Sequence, residues 1–123
     1  MLSVGNTFLI PTPPNNKEHL FIIIAIDESS NAALLVNVMT PKLGCDKSCC
    51  INAGEHPFLE YDSVINYRDA RITPIPNLEH NLKKGVIKKH SSVSKGLLKR
   101  IHNGALISPE IPIKYRNFLC LNT

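Results

Sequence analysis

The hydrophobic pattern of this chain consists of short apolar blocks separated by turns. Residues 20–26 (LFIIIAI) form the longest apolar run, and their branched side chains predict the central strand of a sheet. Residues 27–31 are polar and predict a turn, after which residues 33–40 return as the antiparallel partner strand. Shorter strands are predicted before Pro11, at residues 49–52 and at residues 63–67, the last continuing at residues 70–73 after a bend.

One helix is predicted late in the chain, at residues 93–103. Apolar residues recur there at helical spacing, Ser94 or a neighbouring serine can cap its start, and Gly104 is expected to supply a left-handed residue past its end. Pro74 and Pro76 are expected to stop regular structure, and residues 78–89 are predicted as loop or weak strand. This order of elements predicts an α+β fold that is mostly β, in which the helix covers a small curled sheet or open barrel.

The composition is typical of one globular domain. The chain has 123 residues, 43% of them hydrophobic and 20% charged, and its nine prolines favour short elements over a helix bundle. No apolar run is long enough to span a membrane, and the first residues lack the pattern of a secretory signal. We therefore expect a cytoplasmic protein without membrane contacts, whose four cysteines are reduced thiols.

The net charge of +4 comes largely from a basic block without any acidic residue. Such a block suits a phosphate-bearing or acidic partner, meaning RNA, another nucleic acid or an acidic protein. The alternative is a solvated surface that keeps the protein soluble. The basic block consists of Lys83, Lys84, Lys88, Lys89, Lys95, Lys99 and Arg100.

Metal-ligating side chains concentrate in residues 45–58. Cys45, Cys49, Cys50 and His56 are soft enough ligands for zinc. Adjacent cysteines in a regular strand point to opposite faces, however, and no second Cys-x-x-Cys pair exists to complete a site. The cysteines therefore fit core positions better than ligands, and no metal or other cofactor is expected.

A catalytic group is predicted around His56, which lies in a turn. Ser63, Tyr67 and Arg71 follow at intervals of four and share one face of a regular strand, barring a bulge. In this hypothesis His56 moves a proton, Arg71 stabilises the charge on a phosphate, and Ser63 or Tyr67 orients it. The same residues also fit structural roles, in which His56 holds the turn and Tyr67 packs its ring. A weaker variant has Cys49 or Cys50 as a nucleophile beside His56.

The first third of the chain resembles the opening of PemK/MazF-like toxins. The resemblance rests on residues 5–10 (GNTFLI), a proline-rich loop, the apolar run at residues 20–26 and its return at residues 34–38 (LLVNV). It implies a compact SH3-like barrel and an endoribonuclease, and barrels of this kind often form homodimers. Where the family carries an Arg-Pro before its core strand this chain has His19-Leu20, and Asn6 replaces the family's aspartate.

Two functions remain open at this point. The first is a toxin-type protein that binds RNA and cleaves it without a metal, with an acidic antitoxin-like protein as partner. The second is a non-catalytic basic β-barrel module that binds nucleic acid or an acidic protein. Cleavage that depends on single side chains would distinguish the first from the second.

Overall fold

The structure is a computed structural model that describes all 123 residues. They form one antiparallel sheet and three helices, joined by turns and loops. In chain order the elements are β1 (Thr7–Thr12), β2 (Lys17–Asp27), β3 (Ala32–Met39), β4 (Cys50–Ile51), β5 (Ser63–Pro74), α1 (Ile75–Lys83), β6 (Lys88–His90), α2 (Lys95–Ile107) and α3 (Ile113–Leu121). The six strands lie in the order β4-β5-β3-β2-β1-β6, and the sheet curls into a half-barrel. The predicted α+β, mostly β fold with a curled antiparallel sheet is confirmed.

The central strand β2 is buried on both faces of the sheet, which explains its uninterrupted apolar run. Leu20 and Ile22 belong to the larger of two hydrophobic clusters, whereas Phe21 and Ile23 belong to the smaller one. Successive side chains of a strand alternate between its faces, so the two clusters lie on opposite sides of the sheet. We call the side of Leu20 the first face and the side of Phe21 the second face.

Helices α2 and α3 cover the first face. Leu97 and Ile101 of α2 and Leu119 of α3 are buried there against Ile22 and Tyr67 of the sheet. Burying a large aliphatic side chain contributes roughly 1.5–3 kcal/mol, so this face provides most of the apolar stabilisation. None of the three helices combines the length and the hydrophobicity that crossing a bilayer requires.

Helix α1 covers only one end of the second face. Its Ile75 and Leu78 pack with Phe8, Ile23 and Leu35 in the smaller cluster. Beyond Phe21, at the start of β2 and the end of β3, the second face carries polar side chains and has no helix over it. This uncovered end of the sheet holds the cavity described below.

Helix α2 begins and ends later than predicted. Ser94 caps its start, since the Ser94 hydroxyl accepts a hydrogen bond from the Leu97 backbone N–H at 3.1 Å. The prediction that Gly104 terminates the helix is wrong, because the helix continues to Ile107. Gly104 is a glycine for a different reason: a Cβ there would collide with the Tyr67 hydroxyl and would lie 3.0 Å from Cys49 Cβ.

Helix α1 forms where Pro74 and Pro76 predicted an end to regular structure, and α3 lies in the last part of the chain, for which no helix is predicted above. Pro74 is the N-cap of α1, Pro76 lies in its first turn, and Pro112 is the N-cap of α3. A proline in the first turn of a helix removes only an N–H that has no intrahelical partner, so it favours a helix start. The single late helix of the prediction is therefore one of three.

An irregularity in β5 changes which side chains share a face. Leu35 of β3 pairs with Arg71, but Asn37 pairs with Asn66, so two positions along β3 correspond to five along β5. The extra residues shift the alternation of β5. Tyr67 consequently lies in the first-face core, whereas Arg71 lies over Phe21 on the second face. The prediction that Tyr67 and Arg71 share a face is wrong for this reason.

Candidate functional site

His56 lies in the interior, with 1% of its surface exposed. Its Nε2 donates to the Ser91 carbonyl oxygen at 2.6 Å, and its Nδ1 accepts from the Phe58 backbone N–H at 3.0 Å. Both ring nitrogens are therefore occupied in the neutral form, and burial lowers the pKa of His56. The ring holds the turn that contains Phe58 against the residues after β6, which is the structural alternative considered above.

Tyr67 and Ser63 also have structural contacts. Tyr67 is fully buried, and its hydroxyl donates to the Ile101 carbonyl oxygen at 2.7 Å. Burial raises the pKa of the Tyr67 hydroxyl far above its usual range, so it remains protonated. The buried Ser63 hydroxyl donates to the Tyr61 carbonyl oxygen at 3.0 Å. The structure thus does not bring His56, Ser63, Tyr67 and Arg71 together into one site.

The four cysteines are free thiols, as expected, and they do not form a metal centre. Cys49 is buried and Cys50 exposed, and burial raises the pKa of the Cys49 thiol. No group of three or more histidine, cysteine, aspartate or glutamate side chains is placed to hold a metal ion. Cys50 is the only exposed thiol of the Cys45–Cys50 segment, but His56 has no free nitrogen to activate it.

All seven residues of the basic block are exposed, but they do not share one face. Lys88 and Lys89 are adjacent in β6 and therefore point to opposite sides of the sheet. Arg100 forms an ion pair with Glu55 and also donates to the Cys50 carbonyl oxygen at 2.6 Å. The Arg100 guanidinium is therefore occupied by the protein itself, while the lysines remain open to solvent.

A polar cavity of about 480 Å³ lies on the uncovered end of the second face. Four neighbouring strands and two adjoining loops contribute its walls, so side chains distant in sequence meet there. Only two of its ten lining residues are hydrophobic, in contrast to the apolar core beside it. The lining residues are Thr12, Pro13, His19, Phe21, Asn37, Met39, Lys42, Asn66, Asp69 and Arg71.

His19 is held in this polar cavity by Thr12. Thr12 Oγ1 lies 2.6 Å from His19 Nδ1 and 3.3 Å from the Lys17 carbonyl oxygen. This hydrogen bond at Nδ1 fixes the ring and leaves Nε2 free for a ligand. The central strand is predicted to begin at residue 20, but β2 begins at Lys17 and sets His19 on the same face as Phe21.

Arg71 lines the same polar cavity as His19. The Arg71 guanidinium carbon lies 4.5 Å from the centre of the Phe21 ring, a cation–π contact that fixes its position. Arg71 is exposed and forms no ion pair, so its charge is open to a ligand. His19 is two residues before Phe21, roughly 7 Å along the strand, and lines the same cavity as Arg71.

Asn37 supplies an unsatisfied polar group in the polar cavity. The side chain is 9% exposed, and Asn37 Oδ1 is the one buried side-chain polar atom without a hydrogen-bond partner. Buried polar atoms nearly always have a partner, so the exception indicates a place for a donor from outside the chain. Sequence analysis missed Asn37, although an amide inside the apolar run LLVNVM was the signal that could have shown it.

A second cavity of about 510 Å³ lies next to the polar one, on the other side of the sheet end. We call it the aromatic cavity, because Phe58, Tyr61 and His90 contribute to its walls. Its floor includes Leu20 and Val38 of the first face. His19 and Met39 line both cavities, so the two adjoin at the start of β2 and the end of β3.

Comparison with models of known protein families gives no match for this chain, and comparison with curated proteins finds no significant relative. The function therefore rests on the chemistry of the two cavities. A histidine with a free nitrogen, an unpaired arginine and a buried acceptor in one polar cavity are suited to a phosphate-bearing, hydrogen-bonding ligand.

Proposed function

We propose that the protein binds single-stranded RNA in the polar cavity and cleaves it without a metal. The observation that carries the proposal is that His19 and Arg71 line one cavity, with the Arg71 guanidinium fixed over the Phe21 ring. A proton acceptor and a fixed positive charge in one cavity suit a phosphodiester with its neighbouring ribose hydroxyl. The ligand would be single-stranded, because unpaired nucleotides can enter a cavity of this size.

In the proposed reaction His19 Nε2 takes the proton of the ribose 2′-hydroxyl. The 2′-oxygen then attacks the adjacent phosphorus, the bond from phosphorus to the 5′-oxygen breaks, and the leaving oxygen takes a proton from water. The products are a cyclic 2′,3′-phosphate and a free 5′-hydroxyl. Arg71 stabilises the negative charge that develops on the phosphate oxygens, and Thr12 Oγ1 accepts from His19 Nδ1–H in the reactive tautomer of the ring.

The resemblance to PemK/MazF-like toxins supports the same proposal. A small curled antiparallel sheet is compatible with the SH3-like barrel of that family. In this chain His19 stands where the family carries its arginine, and the positively charged residues that line the cavity are Arg71 and Lys42. In the toxin interpretation, an acidic antitoxin-like protein would cover the cavity and neutralise this charge.

The test is a cleavage assay with an RNA oligonucleotide, in the presence of a chelator. The variants His19→Ala and Arg71→Ala are expected to lower the rate by about 100- to 10,000-fold. An oligonucleotide with 2′-O-methyl groups is expected to bind without being cleaved. His80→Ala on the exposed surface of α1 and Arg68→Ala, whose partner is the surface residue Glu110, are the matched controls.

Cleavage at the wild-type rate in both His19→Ala and Arg71→Ala would overturn the catalytic assignment. Loss of cleavage on adding the chelator would contradict a reaction without a metal. RNA binding without cleavage by any form of the protein would leave a binding module as the function.

A non-catalytic module is the second candidate, and the exposed lysines favour it. Five of the six lysines of the basic block form no ion pair. The sixth, Lys88, has only a long contact with Glu18, with Nζ 3.9 Å from Oε2. Such a surface binds a polyanion without any proton transfer. In this case His19→Ala would leave binding nearly unchanged, whereas replacing Lys95 and Lys99 by glutamine would weaken it.

A further inference from the structure

The aromatic cavity has an exposed tyrosine ring in its walls, which the polar cavity lacks. Tyr61 is 77% exposed and is the only aromatic side chain among the large exposed apolar residues. The other two tyrosines are buried or partly buried, in the sheet core and on α3. A large ring exposed at the mouth of a cavity with an apolar floor is the arrangement on which a flat ligand stacks.

The wall formed by Phe58 and His90 is held in a fixed position by His56. Phe58 meets His90 edge to face, with ring centres 6.1 Å apart and planes at 69°. His90 in turn packs against His56, with ring centres 5.0 Å apart. Because His56 is hydrogen-bonded at both nitrogens, the aromatic wall is ordered before any ligand arrives, which lowers the entropic cost of binding.

The aromatic cavity adjoins the proposed cleavage site. His19 and Met39 line both cavities, which therefore meet at the start of β2 and the end of β3. In single-stranded RNA each phosphate is flanked by two bases. With its phosphate in the polar cavity, a bound strand that passes His19 would bring one of these bases to the aromatic cavity.

We infer that the aromatic cavity is a nucleobase-binding subsite, in which one base of the bound RNA stacks on Tyr61 and contacts the Phe58–His90 wall. This inference rests on the proposed function, since the polar cavity holds the phosphate. It assigns to Tyr61 a binding role without a catalytic one. Loss of the ring should therefore weaken RNA binding.

The absence of tryptophan from the chain allows a direct test. In the variant Tyr61→Trp the new indole is the only tryptophan, so its fluorescence reports on the aromatic cavity alone. Titration with a 2′-O-methyl RNA oligonucleotide is expected to quench it, and titration with a nucleoside monophosphate should do so more weakly. Inorganic phosphate should have no effect. Tyr115→Trp, on α3 outside both cavities, is the control that should not respond.

Affinity gives an independent readout of the same subsite. Measured by anisotropy of a labelled 2′-O-methyl RNA, Tyr61→Ala is expected to weaken binding by about 5- to 150-fold, whereas Tyr61→Phe should retain most of it. Tyr61 is exposed, so Tyr61→Ala is expected to fold normally, and its unfolding curve checks this.

The outcomes separate this inference from the proposed function. If the labelled RNA binds normally but neither quenches Tyr61→Trp nor responds to Tyr61→Ala, the base subsite is wrong while RNA binding stands. Quenching by nucleotides in a protein that never cleaves RNA supports the subsite and rejects the catalytic proposal. Absence of both RNA binding and quenching overturns both.

Discussion

Asn37 and Asn66 face each other across β3 and β5, yet only Asn66 is hydrogen-bonded. Asn66 Nδ2 donates to Asp69 Oδ2 at 2.9 Å, whereas Asn37 Oδ1 is buried without a donor. A buried polar atom without a partner costs about 1–3 kcal/mol of stability. In the proposed complex a donor from the ligand would satisfy Asn37, so the cost in the free protein would be recovered on binding.

The first prediction follows from this unsatisfied amide. Asn37→Val should raise the free energy of unfolding by about 1–2 kcal/mol, because it removes the unpaired oxygen and places a β-branched residue in a strand. The same variant should bind RNA more weakly than the wild type. Urea denaturation and an RNA-binding titration measure the two effects. Asn66→Val is the matched control, which should gain no stability; a loss of stability in Asn37→Val would contradict the interpretation.

The second prediction concerns the contact between Gly104 and Tyr67. Glycine to alanine in a helix normally stabilises by about 1 kcal/mol. Here a Cβ would collide with the Tyr67 hydroxyl and would also lie 3.0 Å from the Ser48 carbonyl oxygen. We therefore expect Gly104→Ala to destabilise the protein by about 1–3 kcal/mol, measured by chemical denaturation.

A double-mutant cycle tests the cause of this effect. Tyr67→Phe alone should cost about 1 kcal/mol, since the hydrogen bond to the Ile101 carbonyl oxygen is lost. In combination with Gly104→Ala, the absence of the hydroxyl should relieve part of the collision, so the double variant should be more stable than the sum of the two effects predicts. Additive effects would show that the collision lies elsewhere.

The hairpin of β2 and β3 could be predicted from the sequence because both strands are continuous apolar runs on either side of a polar turn. The face of Arg71 could not, because an alternating pattern assumes a regular strand. The extra residues of β5 between the pairs at Arg71 and Asn66 are specified by the packing of Tyr67 and Ala70 into the first-face core, which depends on α2.

The candidate site was harder to predict than the fold for a related reason. Its residues come from four strands, and Arg71 is more than fifty positions from His19 along the chain. Only the strand register brings them into one cavity. The polar turn around His56, by contrast, suggests that this residue is exposed. Its burial follows from contacts with Ser91 and His90, which are distant in sequence and which no local pattern shows.

The third prediction is a pH dependence of stability that arises from His56. Burial lowers its pKa below the usual 6.5, so the unfolded chain takes up a proton at a higher pH than the folded protein does. The stabilising contribution of the neutral ring is complete above pH 6.5 and decreases as the pH falls toward the lowered pKa. Protonation also removes the acceptor for the Phe58 N–H. Chemical denaturation at a series of pH values measures how steeply the free energy of unfolding depends on pH.

The variant His56→Gln provides the comparison. It should be less stable than the wild type at pH 7.5, since it loses a packed ring. Its free energy of unfolding should decrease less than that of the wild type as the pH falls below 6.5. His80→Gln, at an exposed position of α1, should retain the wild-type slope. Identical slopes in His56→Gln and the wild type would assign the pH dependence to another group.

The last prediction separates charge that binds RNA from charge that holds the protein together. Lys42 lines the polar cavity and forms no ion pair, whereas Arg100 is engaged by Glu55 and the Cys50 carbonyl oxygen. Each phosphate neutralised in a single strand contributes about 0.7 to the slope of log affinity against log salt. Lys42→Gln should therefore lower that slope by about 0.7 between roughly 50 and 200 mM salt. Arg100→Gln should leave the slope unchanged and reduce stability by about 1 kcal/mol. A larger change of slope in Arg100→Gln than in Lys42→Gln would indicate that RNA binds along the face of α2 and not in the polar cavity.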